Sequence, residues 1–411
     1  MKALFQKGAN DGVFENGSRR NFLKKTSFVS IAGLTGCARS TEQPDTLADS
    51  SIPTYESIGV RPFINLSDVT TIFGGSLMLS GVKIAMEEAS RQFIHLDELM
   101  ECVGARLAKL TGAEWGIIAG GCAACMTGAT CACVAGTDPE KMAMLPDTTG
   151  MKDEVLVQRI HRDQYDRAIW MVGVKMIEVD TAEELEAGIN NKTAMIEILG
   201  KGLDRKGSIT LEDFVRIGKK HNIPIMVDAS AEPFHLPNPY IRAGVDMVGY
   251  SGGKHMFGPQ NSGILLGRKE LVKAAFLNLA PHHAYGRPMK CAKEDIMGGL
   301  AAAELWAKRD HDAEFKEWER MLQYVADNIN PITTVEAKIV HPTRRTNVYP
   351  RLVIDWDQTK VKITKEEVSK QLLEGEPKIN CFPGYIISVT MQTGEEIPVA
   401  RRFYEILSSA V

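Results

Sequence analysis

The residues best suited to chemistry in this sequence are a lysine, an aspartate and a pair of glycines, each next to an apolar run that predicts a strand. Lys254 follows Ser-Gly-Gly at residues 251–253, and an amine held there could form a Schiff base with a carbonyl group. Asp228 ends another apolar run, and open α/β sheets bind ligands at the carboxyl ends of their strands. Gly120 and Gly121 lie between a strand pattern and a helix pattern, where backbone N–H groups can bind a phosphate.

Together these features match what pyridoxal 5'-phosphate requires of a protein. Its aldehyde needs an amine, its phosphate needs N–H donors, and its pyridine nitrogen needs a buried carboxylate that keeps it protonated. The phosphate site is predicted to include Cys122 and Ala123, with Ser251 as a further hydrogen-bond donor. Each feature alone has an ordinary explanation, since Gly-Gly turns are common and an aspartate such as Asp228 often begins a helix. The position of Lys254 just beyond the next strand favours the pyridoxal-phosphate interpretation.

Residues 246–268 resemble the selenocysteine synthase (seryl-tRNA selenium transferase) branch of the fold-type-I pyridoxal-phosphate enzymes, especially its D-glucosaminate-6-phosphate ammonia-lyase-like members. The resemblance implies that Lys254 is the Schiff-base lysine and that Asp228 pairs with the ring nitrogen. The chain departs from the transferases at Gly253, where they tend to carry aspartate, and at its N-terminus, where they carry a tRNA-binding region. The similarity covers about residues 55–410, and its best marks lie at residues 58–62, 74–78, 251–254 with 258–260, and 286–290.

The same resemblance implies the fold, the assembly and the reaction. It implies an α/β fold of type I, with a mainly parallel sheet in three αβα layers and a small α+β lobe at the C-terminus. It also implies a homodimer or a larger homo-oligomer, in which Gln260 contributes to the cofactor site. The implied reaction eliminates water and ammonia from a small molecule, either a β-hydroxy amino acid or an amino-sugar acid, after Lys254 has taken the α-proton.

Several alternatives to this lyase stay open. Racemisation, transamination and selenium transfer are other reactions of the same scaffold, although an exported enzyme would not meet a tRNA substrate. A lipoprotein that binds pyridoxal phosphate without turnover belongs to another class of function. A thiol–metal protein is a third class, because several cysteines lie close together in the sequence.

Five further residues are candidates for the cofactor ring and for the substrate. His161 follows a predicted strand and could stack on the ring, with Tyr165 as the alternative, although a single histidine in such a place is often structural. Arg287 and Lys290 would suit an anionic substrate or a phosphate. Arg351 opens a predicted strand near the C-terminus and could bind a carboxylate through two hydrogen bonds.

The periodicity of the chain predicts how these residues are positioned. The chain has 411 residues, of which 44% are apolar, so it can bury a large core. Helix and strand patterns alternate from about residue 100, which is typical of a parallel sheet covered by helices on both faces. After Asp295 one long helical stretch reaches about residue 328, and strands and helices then mix. We expect a large cofactor-binding domain at residues 55–295, and a bridging helix with a small domain at residues 296–411.

The N-terminus carries a different kind of signal. Residues 1–37 predict a twin-arginine export signal, because residues 18–24 match its motif and the apolar run 26–36 is too short for a permanent membrane span. The run ends in a small-residue box before Cys37, which could carry a lipid anchor after cleavage. Residues 38–54 predict a flexible tether. We expect an exported protein that is periplasmic or anchored to the membrane as a lipoprotein.

Charge and cysteine content exclude or weaken two other kinds of function. The net charge is −4 without a long basic run, which argues against a nucleic-acid partner, and Arg344-Arg345 is interpreted as a solvated pair. Four cysteines lie within residues 122–133 among alanine, glycine and threonine. That composition is typical of a helix packed tightly against a sheet, so we expect no metal.

Overall fold

The structure is a computed structural model that describes residues 52–411. The predicted export signal, Cys37 and most of the predicted tether lie outside the described residues. The chain divides into a unit of residues 1–58, described from residue 52 and containing the 3-10 turn Glu56–Ile58, and a compact unit of residues 59–411. None of the described helices is long and apolar enough to cross a membrane.

The described strands are short. They are β1 (Ile64–Asn65), β2 (Trp115–Ala119), β3 (Glu154–Gln158), β4 (Lys175–Val179), β5 (Thr193–Leu199), β6 (Ile225–Asp228), β7 (Met247–Ser251), β8 (Gly263–Gly267), β9 (Glu336–Val340), β10 (Arg351–Asp355), β11 (Ile379–Asn380) and β12 (Tyr385–Ile387).

The helices alternate with these strands through most of the chain. They are α1 (Ser80–Ser90), α2 (Leu96–Thr111), α3 (Gly121–Val134), α4 (Pro139–Met144), α5 (Arg167–Trp170), α6 (Ala182–Gly188), α7 (Leu211–His221), α8 (Pro239–Ala243), α9 (Lys269–Leu277), α10 (Lys293–Trp306), α11 (His311–Ile329), α12 (Lys365–Glu374) and α13 (Glu396–Ser408).

Seven strands form the central sheet, in the order β2-β8-β7-β6-β5-β3-β4. The strands from β3 to β7 are parallel, whereas β8 runs antiparallel to both of its neighbours, β2 and β7. Every residue of β2, β5 and β6 is buried, as expected for strands that helices cover on both faces. The predicted α/β fold with a mainly parallel sheet is confirmed.

Two main hydrophobic cores stabilise the unit of residues 59–411. The first surrounds the central sheet and includes Leu107 of α2 and Leu156 of β3. The second packs α11 and α13 against the three-stranded sheet β12-β10-β9, and it includes Leu322 and Phe403. Leu66, next to β1, also belongs to the second core, because β1 pairs with β11. A segment near the N-terminus therefore packs with the C-terminal part of the chain.

The helical region after Asp295 differs from its prediction. It forms two helices, α10 and α11, rather than one, because the side chain of Asp310 accepts a hydrogen bond from the N–H of Ala313 at 3.0 Å and so begins a new helix. Ile296 and Leu300 of α10 belong to the first core, whereas α11 belongs to the second. The division between the cores thus falls between α10 and α11, and not at residue 295.

Candidate functional site

A cleft of about 230 Å³ lies at one edge of the central sheet. β2, β6 and β7 all run in the same direction, so their carboxyl ends meet at this edge. All eight residues predicted to bind the cofactor line the cleft. The complete lining is Val69, Thr71, Gly120, Gly121, Cys122, Ala123, Met126, Tyr165, Asp228, Ser230, Ser251, Gly253, Lys254 and Gln260.

The glycine turn after β2 forms one end of the cleft. Gly121 begins α3 with a φ of 86°, a left-handed conformation that glycine adopts without strain, and open space surrounds the position where a Cβ would lie. Gly120 precedes the helix without a side-chain cap, so the first N–H groups of α3 are free to bind a ligand. A dianionic phosphate fits this place, since the helix N-terminus also carries partial positive charge.

Asp228 lies on the floor of the cleft, and its side chain is almost fully buried. Its Oδ1 accepts a hydrogen bond from the N–H of Ser230 at 2.8 Å, and the thiol of Cys122 donates to the same oxygen at 3.5 Å. Oδ2 receives no hydrogen bond from any residue between 52 and 411. One carboxylate oxygen is therefore fixed by the protein, and the other is available to a protonated ring nitrogen.

Two other buried carboxyl groups lie near Asp228. Burial raises the pKa of Glu197 well above its ordinary value, with the charge of Asp228 adding to the effect. Burial likewise raises the pKa of Glu232 to about 7, although the hydroxyl of Tyr240 donates to it at 2.7 Å. Both groups keep their protons over a wider pH range than an exposed glutamate, which limits the negative charge that accumulates around Asp228.

Lys254 enters the cleft from the loop between β7 and β8, and its side chain is half-buried. The loop is tightly folded, since a Cβ at Gly253 would lie 2.5 Å from the Cα of Gln260. The positive charge of Lys254 lowers the pKa of the Cys122 thiol, but burial and Asp228 outweigh this effect and raise that pKa overall. Cys122 is therefore a neutral hydrogen-bond donor here, not a nucleophile.

The charges of Arg351, Arg344 and Lys254 all act on the carboxyl group of Asp68. Burial raises the pKa of Asp68, and the charges of Lys254, Arg351 and Arg344 oppose that rise. Arg351 is half-buried at the start of β10, its guanidinium lies 5.5 Å from the ring centre of Tyr385, and its Nε has no hydrogen-bond partner in the described part of the chain. Such a guanidinium is suited to an anionic ligand. Neither Arg351 nor Arg344 lines the cleft, and Arg344 is exposed, as its interpretation as a solvated charge predicted.

His161 does not line the cleft. Its imidazole is fully buried, with Nε2 3.0 Å from the hydroxyl of Ser208, and a Cβ at Gly202 would lie 2.5 Å from its Cδ2. Burial lowers the pKa of His161 to about 4. The structure thus makes it a neutral packing residue, and Tyr165, which does line the cleft, is the better candidate to contact a bound ring.

The side chains of Arg287 and Lys290 do not line the cleft. The segment that carries them approaches Gly120 through its backbone, since a Cβ there would lie 3.2 Å from the carbonyl oxygen of Met289 and 3.6 Å from that of Lys290. The structure assigns this segment a role in shaping the turn, and it does not bring the two cationic groups to Asp228 and Lys254.

Sequence reasoning did not single out Met126 and Ser230, which line the cleft close in sequence to predicted residues, and it missed two residues from elsewhere in the chain, Val69 and Thr71. They belong to an irregular segment in which no periodicity indicates position. The carbonyl of Thr71 accepts a hydrogen bond from the side chain of Gln260 at 3.3 Å, and Ser76 donates to the carbonyl of Gly253 at 2.9 Å. The motif at residues 74–78 was the one signal that could have placed this segment against the lysine loop.

The cysteine-rich run forms α3, as its composition predicted. Cys122, Cys125 and Cys131 are buried, and burial raises the pKa of each thiol. Among residues 52–411 no three histidine, cysteine, aspartate or glutamate side chains gather in a way that could hold a metal ion. In the described structure these thiols are packing groups.

Comparison with known proteins identifies a matching family and several relatives of this chain. Residues 155–292 match the aminotransferase class-V family. The D-glucosaminate-6-phosphate ammonia lyase of Salmonella typhimurium is 30% identical over 332 residues, which cover 78% of this chain and 87% of that protein. A 5'-C-glycyluridine monooxygenase-decarboxylase of a Streptomyces species is 30% identical, covering 79% of this chain and 83% of its own length. A selenium transferase for L-seryl-tRNA(Sec) from Moorella thermoacetica is 25% identical over 70% of this chain and 65% of that protein.

The solved structures agree with these relatives. A structure of D-glucosaminate-6-phosphate ammonia-lyase superposes with a TM-score of 0.78 and 28% sequence identity. The match covers 88% of this chain and 99% of the other. The similarity therefore extends through both hydrophobic cores and is not confined to the central sheet.

Proposed function

We propose that this chain, which belongs to the fold-type-I pyridoxal-phosphate enzymes of the D-glucosaminate-6-phosphate ammonia-lyase family, is a lyase acting on a sugar-derived amino acid. Its cofactor is pyridoxal 5'-phosphate, as predicted, and the resemblance to the selenocysteine synthase branch is also confirmed. The observation that carries the proposal is the convergence of Lys254, Asp228 and the start of α3 on one cleft.

The chain's own groups are suited to hold the cofactor in one orientation. The N–H groups at the start of α3, with the hydroxyl of Ser251, would bind the phosphate at one end. The free oxygen of Asp228 would pair with the ring nitrogen at the other end and keep it protonated. Tyr165 lines the cleft between them and is placed to contact the ring.

Lys254 is the group that binds the cofactor covalently and then moves a proton. When bound, pyridoxal phosphate supplies an electron sink for the substrate carbon from which a proton is removed. The Nζ of Lys254, released when a substrate amine takes its place, would accept that proton as the general base. Glycines at positions 252 and 253 let the loop fold closely enough to present the amine, because a Cβ at either would collide with residues 260 or 262.

The net reaction that we propose is balanced without an oxidant or a second substrate. A β-hydroxy-α-amino acid loses its α-proton and its β-hydroxyl as water, and one water molecule then replaces nitrogen at the α-carbon. The products are a 2-keto-3-deoxy acid and ammonia. The half-buried Arg351, whose Nε has no hydrogen-bond partner in the described part of the chain, is the group that we propose for the anionic parts of such a substrate.

A second candidate reaction has support from the relatives. The monooxygenase-decarboxylase matches this chain at the same identity as the lyase, so similarity alone does not separate elimination from oxidative decarboxylation. The two reactions differ in their products and reactants, since only oxidative decarboxylation releases carbon dioxide and consumes dioxygen. An assay that measures ammonia, 2-keto acid and carbon dioxide from one reaction therefore distinguishes them.

The test uses purified full-length protein loaded with pyridoxal phosphate and a panel of D- and L-β-hydroxy amino acids, glucosaminate and its 6-phosphate. We expect equal amounts of ammonia and 2-keto acid from at least one hydroxylated substrate. Lys254→Ala should abolish turnover, whereas Lys316→Ala, on the exposed side of α11, should retain it. No turnover across the panel, or full activity of Lys254→Ala, would contradict the proposal.

We further propose that the enzyme acts outside the cytoplasm. The support is the twin-arginine motif at residues 18–24 and the box before Cys37. A cofactor that is loaded in the cytoplasm suits a route that carries folded proteins. Fractionation of cells that express the tagged chain should place it in the periplasm or membrane, and Arg19→Lys with Arg20→Lys should retain it in the cytoplasm.

A homodimer is the assembly that we propose. Large apolar side chains are exposed on the segment that follows the cleft-lining Thr71: Ile72, Leu77, Ile84 and Phe93. Gln260, which lines the cleft, is also exposed. A second copy that covers this surface would bury these side chains and lie beside both clefts.

A further inference from the structure

The loop that carries Lys254 needs support from outside itself. Phe257 has a φ of 52°, a left-handed conformation that residues with a side chain rarely adopt. Within the loop, the N–H of Phe257 donates to the carbonyl of Lys254 at 3.1 Å, and the N–H of Gly258 donates to that of Gly252 at 2.8 Å. Such a conformation persists only where neighbouring elements hold it.

The carbonyl groups on both sides of Lys254 are held by other parts of the chain. The carbonyl of Gly253 accepts hydrogen bonds from the N–H of Ser76 at 3.1 Å and from its hydroxyl at 2.9 Å. The carbonyl of His255 accepts one from the guanidinium of Arg309 at 3.1 Å. The direction of the lysine side chain therefore depends on two anchors, one from the irregular N-terminal segment and one from Arg309.

Arg309 is itself held by several contacts. It lies between the end of α10 and the start of α11, with 10% of its side chain exposed. Its Nε and one terminal nitrogen bind the carboxylate of Glu314 at 2.6 and 2.7 Å. The guanidinium carbon also lies over two aromatic rings, 4.7 Å from the centre of Phe257 and 5.1 Å from that of Trp306.

One planar group thus supports both the strained residue of the loop and the carbonyl next to the lysine. Lysine could not replace it in full, because a single ammonium cannot make the two-point contact with Glu314 and also pack against two aromatic rings. The position of Arg309 also joins the two cores, since α10 belongs to the first and α11 to the second.

We propose that Arg309 is a positioning residue, which sets the orientation of Lys254 through the carbonyl of His255 and the ring of Phe257. This inference rests on the proposed role of Lys254 in binding the cofactor. It does not depend on which reaction follows.

The test compares Arg309→Met, Arg309→Lys and a matched control, Arg320→Met, in the full chain. Arg320 lies on α11 and also binds two carboxylates, that of Glu317 at 2.7 Å and that of Glu396 at 2.8 Å. It makes no hydrogen bond to the lysine loop. Two quantities are measured: amide exchange of residues 251–258 in the cofactor-free protein, and the rate at which added pyridoxal phosphate acquires the absorbance of its lysine-bound form. The thermal midpoint of each variant reports stability separately.

We expect faster exchange and about tenfold slower loading in Arg309→Met, as for the loss of one charge-assisted hydrogen bond. Arg309→Lys should be intermediate, and it carries the test if Arg309→Met does not fold. Arg320→Met should change the thermal midpoint alone. Exchange and loading of Arg309→Lys within twofold of Arg320→Met would overturn the inference.

Lys254→Ala separates this inference from the proposed function. If that variant still acquires the lysine-bound absorbance, then the role of Lys254 is wrong. If it does not, and the Arg309 variants load like the control, only the positioning role fails.

Discussion

The different roles of the two carboxylate oxygens of Asp228 can be tested by a single substitution. Oδ1 accepts hydrogen bonds from Ser230 and Cys122, which leaves Oδ2 for the pairing with the cofactor that we propose. Asp228→Asn keeps an oxygen for the first two contacts but removes the negative charge. We expect catalytic activity to fall by roughly 10²- to 10⁴-fold, corresponding to the 3–5 kcal/mol of a broken buried ion pair.

The measurement is steady-state turnover together with the absorbance of the bound cofactor. Asp355→Asn is the matched control, because Asp355 is exposed and pairs with Lys365 on the far lobe. Asp228→Asn with unchanged turnover and an unchanged absorbance spectrum would show that this carboxylate does not contact the ring nitrogen.

His161 gives a prediction about stability. Burial lowers its pKa from 6.5 to about 4, so between these pH values the unfolded chain binds a proton that the folded chain does not. The contribution of the neutral ring is therefore complete above pH 6.5 and is lost as the pH falls towards 4. The loss amounts to on the order of 3 kcal/mol at most.

Urea unfolding at pH 5 and pH 7.5 checks this expectation. His161→Gln places an amide where Nε2 binds Ser208 and removes the titrating ring, so its free energy of unfolding should fall less than that of the wild type at the lower pH. His341→Gln, at an exposed position, should follow the wild type. An equal decrease in the free energy of unfolding from pH 7.5 to pH 5 for the wild type and His161→Gln would refute the lowered pKa of His161.

At the scale of elements, the start of α3 combines a backbone requirement with the phosphate-binding role that we propose for it. Gly121 and Gly150 both have positive φ, 86° and 79°, and open space surrounds both Cβ positions. Alanine at either should cost about 1–2 kcal/mol of stability through backbone strain. Only Gly121→Ala should also weaken the binding of pyridoxal phosphate, because its new methyl group and altered backbone lie in the phosphate site.

Cofactor titration and thermal unfolding of the two variants separate these effects. The expected result is a similar loss of stability in both and a weaker dissociation constant in Gly121→Ala alone. If both variants bind the cofactor like the wild type, then the glycine turn is not the phosphate site.

The elements that the sequence predicted well are those with uniform patterns. The small-residue run at 122–133 was expected to form a tightly packed helix, and it lies within α3, because an unbroken run of small residues matches one environment. Asp228 and Lys254 were recognisable for a related reason, since each lies at the end of an apolar run or a few residues beyond one. The residues at strand ends share the edge of the sheet whatever the rest of the fold does.

The missed features depend on contacts between distant segments. The break between α10 and α11 at Asp310 and the hydrogen bond from Arg309 to His255 lie where the two cores meet. No local sequence pattern indicates where that is. His161 and Tyr165 lie four residues apart in consecutive 3-10 turns, so periodicity could not decide which of them faces the cleft. Val69 and Thr71 reach the cleft through β1 and its pairing with β11, a long-range contact.

At the scale of the whole molecule, the exposed apolar surface after residue 71 predicts that two copies associate. Ile72 is 86% exposed and Phe93 is fully exposed, and a soluble protein rarely leaves several such side chains uncovered on one segment. Phe93→Asp places a charge where the partner would bury an aromatic ring. We expect the wild type to elute at about twice the mass of one chain and Phe93→Asp to elute as a monomer.

A control substitution outside this segment separates the effect of disrupting the apolar surface from the effect of the added charge. Ile397 is 56% exposed at the start of α13, so Ile397→Asp adds the same charge at a similar apolar position. It should remain dimeric in light scattering after gel filtration. The assembly also bears on the cleft, since Gln260 and Thr71 lie beside the apolar segment. We therefore expect monomeric Phe93→Asp to bind pyridoxal phosphate more weakly than Ile397→Asp, and a dimer that persists in Phe93→Asp with unchanged binding would place the interface elsewhere.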